Sequence, residues 1–78
     1  MPELTLYLTP WCPFCVKVKN YLKGRDIEVA EKDTSSDRQA KDELISLTGR
    51  TQVPCLVVDG KPLLESNDII QWFEDNVE

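Results

Sequence analysis

The sequence predicts an α/β domain in which three helices interleave with a mixed four-stranded sheet, in the order β-α-β-α-β-β-α. Three observations carry this. Apolar residues alternate over residues 3–9, the two-residue period of a half-buried strand, and the next apolar set recurs at helical spacing. Farther along, Asp59-Gly60 separates two strand-like runs, which is the pattern of a tight hairpin. Finally, 78 residues bury a modest core and leave no room for a second domain, so residues 1–78 are expected to form a single domain.

Leu4, Leu6 and Leu8 share one face of the first strand, with threonine and tyrosine on the other. Pro10 ends it. Pro13 suits the first turn of a helix, where a missing N–H costs nothing, and Cys15, Val18 and Leu22 follow on one helical face. Gly24 is the expected C-cap. Residues 27–31 read as a short second strand. Asp33, Thr34, Ser35 and Ser36 offer N-caps for a polar second helix, whose apolar stripe is Ala40, Leu44 and Leu47 and whose end is Gly49. Residues 53–58 form the third strand, and Lys61-Pro62-Leu63-Leu64 the fourth. Ser66-Asn67-Asp68 caps a third helix that buries Ile69, Ile70, Phe73 and Val77, with Trp72 among them. The first β-α-β unit implies parallel strands joined by a right-handed crossover, and the hairpin adds an antiparallel edge.

Composition narrows the functional classes. With 41% hydrophobic and 29% charged residues, the chain is too apolar to be disordered. Its longest aliphatic or cysteine run, Cys55-Leu56-Val57-Val58, is far short of the roughly 20 residues that span a membrane. Met1-Pro2-Glu3 lacks the basic start and apolar stretch of a secretory signal, so a cytoplasmic protein is expected. A net charge of −5 argues against nucleic acid as a partner. The charge is unevenly spread: residues 4–25 contain no acid, and Lys17, Lys19, Lys23 and Arg25 give that segment +4. A solvated helix face would account for the individual lysines.

The cysteines decide more. There are three and no histidine, and Cys12 and Cys15 stand so close that a bridge between them would barely constrain the unfolded chain. They are therefore expected to do chemistry. Cys12-Pro13-Phe14-Cys15 falls at the strand-to-helix junction, which exposes the first cysteine at a helix N-terminus. Unpaired N–H groups and the helix dipole favour a thiolate there, and the thiolate is the nucleophile. Cys15, one turn on, is better shielded and placed to attack a mixed disulfide formed at Cys12. Lys17 and Lys19 lie more than a turn away, so their electrostatic help should be small. The other readings are a zinc site, which needs about four ligands and would have to recruit carboxylates; a pair packed in the core; and an iron–sulfur cluster bridged between subunits. A dithiol–disulfide redox site fits best, with no metal expected.

Two further features join it. Val53-Pro54 opens a strand-like run in which proline is unwelcome. A cis bond there would free the Val53 backbone to pair with an extended thiol peptide, and an ordinary trans proline at a strand start is the other reading. Glu65-Ser66-Asn67-Asp68 caps its helix and presents N–H groups able to hold a carboxylate.

Cys12-Pro13-Phe14-Cys15, Gly49-Arg50-Thr51-Gln52-Val53-Pro54 and Leu64-Glu65-Ser66-Asn67-Asp68-Ile69 occur in the order and spacing of dithiol glutaredoxins, which the whole chain resembles. The resemblance implies a thioredoxin-like fold, a cis bond at Pro54, and glutathione-dependent reduction of protein disulfides and glutathione mixed disulfides, with Cys12 and Cys15 catalytic. It implies glutathione held by Phe14, Gln52, Val53, Pro54, Glu65, Ser66 and Asn67, with Val53 pairing the cysteinyl backbone and the Ser66 turn holding the γ-glutamyl end.

The departures are specific. Thr9 stands where the family usually has a basic residue, Gln52 where it has threonine, Leu64-Glu65 where it has two glycines, Asn67 where aspartate is common, and Phe14 where tyrosine is commoner. Gln52-Val53-Pro54 and Glu65-Ser66 are similar to the N-terminal domain of glutathione transferases, where those residues grip the γ-glutamyl group. Conjugation itself is not expected, because the sequence ends at Glu78 without a helical domain for a second substrate.

The expected partners are glutathione and disulfide-containing or glutathionylated proteins, met by a monomer. Two alternatives stand beside this. One is a thioredoxin-like reductant fed by a flavoprotein reductase; the other is a glutathione-binding or iron–sulfur carrier module with little turnover. Cys55 is expected to fill a small strand position, or else to be an extra thiol near the site. Trp11 is either a wall shielding the nucleophile or a face that touches substrate.

Overall fold

Strand β1 (Leu4–Leu8) pairs in parallel with β2 (Ala30–Asp33) and antiparallel with β3 (Cys55–Val58), which pairs antiparallel with β4 (Lys61–Leu63). The sheet order is therefore β2-β1-β3-β4. This computed structural model describes residues 4–27 and 29–76. The expected element order and mixed sheet are both present. Among the described residues, no helix is long and apolar enough to cross a membrane.

Three layers result. Helices α1 (Pro13–Gly24) and α3 (Ser66–Asn76) cover one face, where Leu6, Leu8 and Leu56 of the sheet meet Cys15, Val18, Leu22, Ile69 and Phe73. Helix α2 (Arg38–Thr48) covers the other, setting Ala40 and Leu44 on Tyr7, Cys55 and Val57. Alternation along β1 thus feeds two cores, because inner strands of a sheet covered on both sides have no solvent face. The Tyr7 hydroxyl reaches the rim of the second core and donates to Glu43 at 3.0 Å, and Lys32 donates to the same carboxylate at 2.6 Å. That arrangement ties α2 to β1 and β2.

The hairpin is as read: Asp59 (φ 50) and Gly60 (φ 85) both take the left-handed conformation that a two-residue turn between twisted strands requires. Gly49 (φ 74) likewise ends α2, donating to the Ile45 carbonyl at 2.7 Å.

Local expectations miss in several places. Gly24 stays inside α1, and Asp26 (φ 56) makes the left-handed turn that ends it. The N–H of Ile27 reaches the Leu22 carbonyl at 3.0 Å and that of Asp26 reaches Lys23 at 3.3 Å, a Schellman closure with Ile27 packed on the core beside Leu22. The chain consequently enters β2 later than residues 27–31 suggested. Its pairing with β1, from Thr5 opposite Ala30 to Leu8 opposite Asp33, sets the start of this edge strand. Glu28 lies outside the described residues.

The cap of α2 is Asp37, whose carboxylate accepts from Gln39 and Ala40. Asp33 is spent on its own turn, accepting from the N–H and hydroxyl of Ser35. Leu47 is exposed, so the buried stripe of α2 is Ala40 and Leu44 alone. β3 begins at Cys55, after Val53 and Pro54, and β4 ends before Leu64. On α3, Ile70 and Trp72 are half-buried, and Val77 lies outside the described residues. Trp72 packs edge-on against Phe73, with ring centroids 5.2 Å apart.

Candidate functional site

The Thr9–Pro10–Trp11 turn delivers Cys12 to the start of α1. Pro10 stops β1, and Pro13 begins the helix in its first turn, so Cys12 becomes the N-cap residue with extended backbone (φ −77, ψ 121). Cys15 follows one turn in. All three cysteines are free thiols, and they differ sharply: Cys12 is half-buried, whereas Cys15 is 1% and Cys55 0% exposed.

Cys12 Sγ lies 3.8 Å from the carbonyl oxygen of Val53, to which the neutral thiol donates. The Val53–Pro54 bond is cis, and Pro54 is buried while Val53 is half-buried. Two segments 41 residues apart in sequence therefore meet at the sulfur. Burial is the largest influence on the Cys12 thiol and opposes ionisation. The backbone N–H and thiol of Cys15 and the backbone N–H of Phe14 together outweigh it, so the pKa falls below the ordinary thiol value. The neutral sulfur makes no cap bond to the helix; those donors are of use only to the anion. Cys15 goes the other way. Burial, reinforced by the Cys12 thiol beside it, pushes it up to about 11 against the pull of Thr9. Burial also lifts Cys55 to about 11.

This asymmetry predicts an order of reaction. Thiolate at Cys12 is present above its lowered pKa and lost as pH falls through it, whereas Cys15 and Cys55 stay protonated to well above pH 9. Iodoacetamide at pH 7 should therefore label Cys12 alone within the time that free cysteine reacts, and peptide mass mapping reads the site. Equal labelling of Cys55 would contradict the assignment.

The remaining candidates divide. Gln52 bridges to the turn before α3, its Nε2 donating to the Leu64 carbonyl at 3.1 Å. Asn67, at the start of α3, accepts at Oδ1 from Lys17 Nζ at 2.6 Å. Ser66 is 8% exposed, whereas Glu65 stands in solvent. Three contacts thus join these segments: Cys12 to Val53, Gln52 to the turn before α3, and Lys17 of α1 to Asn67. Phe14 (60% exposed) and Trp11 (72% exposed) both stand in solvent. Cys55 faces the opposite core, against α2, and is no part of the site.

Two residues take parts that the sequence reading did not give them. Thr9 acts on the Cys15 thiol through its backbone and hydroxyl. Lys17, read from spacing as a distant helper, crosses to α3. An acid-free segment facing a helix N-terminus was the available signal. Lys19 pairs with Glu31 at 3.5 Å instead.

The Glutaredoxin family model matches residues 4–63. A curated relative, an uncharacterized glutaredoxin-like 8.6 kDa protein in the rubredoxin operon of Clostridium pasteurianum, is 33% identical over 64 residues, covering 82% of this chain and 85% of that one. Among solved structures, glutaredoxin from Brucella melitensis superposes with a TM-score of 0.67 at 25% identity, covering 99% of this chain and 83% of the other. A glutathione S-transferase from the Antarctic clam Laternula elliptica gives 0.76 at 27% identity over 94% of this chain but only 34% of that protein. The likeness to transferases extends to one part of them.

Proposed function

The chain belongs to the glutaredoxin family, and from that premise we propose that it is a glutathione-dependent thiol–disulfide oxidoreductase working through Cys12 and Cys15. The observation that carries this reading is the pair of opposed thiols at one helix N-terminus. Cys12 is accessible and eased toward its anion, and Cys15 is buried and held protonated.

In this reading the Cys12 thiolate attacks one sulfur of a glutathionylated or intramolecular disulfide. A new S–S bond forms at Cys12, the old one breaks, and the departing sulfur leaves with the electron pair and takes a proton. Once Cys12 is bound in a disulfide, the negative charge beside Cys15 is gone, which removes one influence that kept its proton on. Cys15 then loses that proton and attacks the Cys12 sulfur, releasing the second thiol and leaving Cys12 and Cys15 bridged. Two molecules of glutathione restore the dithiol and are oxidised to glutathione disulfide. Val53, Gln52, Pro54, Ser66 and Asn67 are the residues we assign to glutathione, with Phe14 and Glu65 at the margin. The Val53 carbonyl, which accepts from the thiol in the resting state, becomes free for a substrate amide when Cys12 ionises.

The electron donor separates this from the thioredoxin-like alternative. Steady turnover of a glutathionylated peptide is expected with glutathione, glutathione reductase and NADPH, followed at 340 nm. Turnover only with a thioredoxin-type flavoprotein reductase would favour the alternative.

A further inference from the structure

Helix α1 has two flanks, and the chemistry described above uses one. Lys17 reaches Asn67 of α3, on the side of the residues assigned to glutathione. Lys19, two positions on and about 200° around the helix, reaches Glu31 of β2 instead, at 3.5 Å. Between that second flank and β2 lies a groove of about 690 Å³, the size of a ligand cleft. Val16, Lys19, Asn20 and Lys23, a single stripe of α1 at helical spacing, form one wall. The floor is apolar: Leu22 is buried, and Ile27 and Val29 are half-buried against the same core. One end lies close to the nucleophile. Pro10 lines it, two residues before Cys12, and the N–H of Val16 donates to the Cys12 carbonyl at 3.0 Å. Among the described residues, its two lysines are balanced by Asp26 and Glu31, in a chain of net charge −5.

We propose that this groove seats an extended, uncharged and apolar segment of a protein disulfide substrate, laid beside β2 as a fifth strand, while the glutathione moiety lies on the other flank of α1. This rests on the reductase reading and names the kind of polypeptide that the same sulfur takes. Three observations select the occupant. β2 is the outermost strand, so one edge of its backbone has no strand beside it, and its Ala30 and Glu31 are exposed. The stripe from Val16 to Lys23 runs about 10 Å, the span of about three extended residues, so alternate side chains of an added strand point at the apolar floor. The charges of the groove cancel, which favours an uncharged segment there over an anionic tripeptide. Delivery comes from the disulfide itself. Its attack at Cys12 holds the residues beside the substrate cysteine at the mouth of the groove, at high local concentration. Glu31 and Lys32 place charges on the same edge, which guards it against strands that arrive without that tether.

The test uses mixed disulfides of glutathione with cysteamine and with three end-blocked peptides. Each peptide has a central cysteine flanked on both sides by alternating serine and valine, by alternating serine and glycine, or by serine and valine with every flanking amide N-methylated. Pre-reduced protein is mixed with each at subsaturating concentration, and single-turnover release of the peptide or cysteamine thiol is followed by rapid quench and chromatography. The serine–valine peptide should react about five- to twentyfold faster than the serine–glycine one, through burial of its valines. N-methylation should slow it by about threefold or more, since the added strand then has no N–H to donate to β2. Val16→Ser, at an exposed position, should slow the serine–valine peptide by about threefold and leave the cysteamine rate within about 30%. The peptide preference should survive 0.5 M salt, because no charge carries it. Equal rates for the three peptides, an N-methylated peptide as fast as its parent, or equal loss on cysteamine in Val16→Ser would overturn the proposal. A dimer in sedimentation velocity that Val16→Ser dissociates would give the groove to a second copy and overturn it too. No reaction with any substrate, cysteamine included, would overturn the reductase reading and this one with it.

Discussion

Replacing Cys12 by serine is expected to cut disulfide reduction by at least about 10³-fold, because a hydroxyl does not ionise near neutrality and is a poor nucleophile toward sulfur. Replacing Cys15 by serine should behave quite differently. Release of a thiol from a glutathione mixed disulfide needs only the first attack, so that activity should persist. Reduction of an intramolecular protein disulfide needs a resolving thiol and should fall by about tenfold or more. Two assays on two variants, one with a glutathionylated peptide and one with a protein disulfide, give four rates to compare. The contrast follows from burial: Cys15 is 1% exposed, with its pKa pushed up to about 11, so it waits for Cys12 rather than competing with it. Full activity of Cys12→Ser on either substrate would remove the basis for the mechanism.

Phe73→Ala should destabilise the domain by about 3–5 kcal/mol, the usual cost of truncating a buried aromatic. Phe73 is fully buried where α3 meets α1 and the sheet, tilted against Tyr21 at 6.5 Å and edge-on to Trp72 at 5.2 Å. A domain of this size holds about 4–12 kcal/mol in total, so the loss would consume much of the margin. The measurement is a urea midpoint. It should drop with little change in slope, since the surface exposed on unfolding is nearly the same. Ile45→Ala, on the exposed outer face of α2, should leave the midpoint almost unmoved and serves as the contrast.

Much of this was legible in the chain. The alternation of Leu4, Leu6 and Leu8, the proline pair around Trp11 and Cys12, and the Asp59-Gly60 turn act over a few residues, and each stands in the structure as read. Element edges were less legible. Asp26 ends α1 in place of Gly24, because the closure depends on Ile27 finding the core beside Leu22, a contact no local pattern encodes. The cap of α2 was expected among Asp33, Thr34, Ser35 and Ser36, but backbone geometry gives Asp33 to a turn and the cap to Asp37, one residue past that set. β2 is an edge strand, and its register comes from β1 rather than from its own residues.

The site divides along the same line. Sequence alone picked out Cys12-Pro13-Phe14-Cys15 and its place at a strand-to-helix junction, because proline, cysteine spacing and helical period are local facts. It also marked residues 4–25 as the basic stretch of an acidic chain. What each group does there was a tertiary matter. Packing of α1 and α3 on one face buries Cys15, the Pro54 loop brings the Val53 carbonyl to 3.8 Å from Cys12, and α2 on the other face buries Cys55. The meeting of Lys17 with Asn67 likewise exists only once the helices are laid side by side. Ionisation and hydrogen bonding depend on distance and on exclusion of water, which fall off within a few ångströms. Residues dozens of positions apart acquire those distances only from the fold.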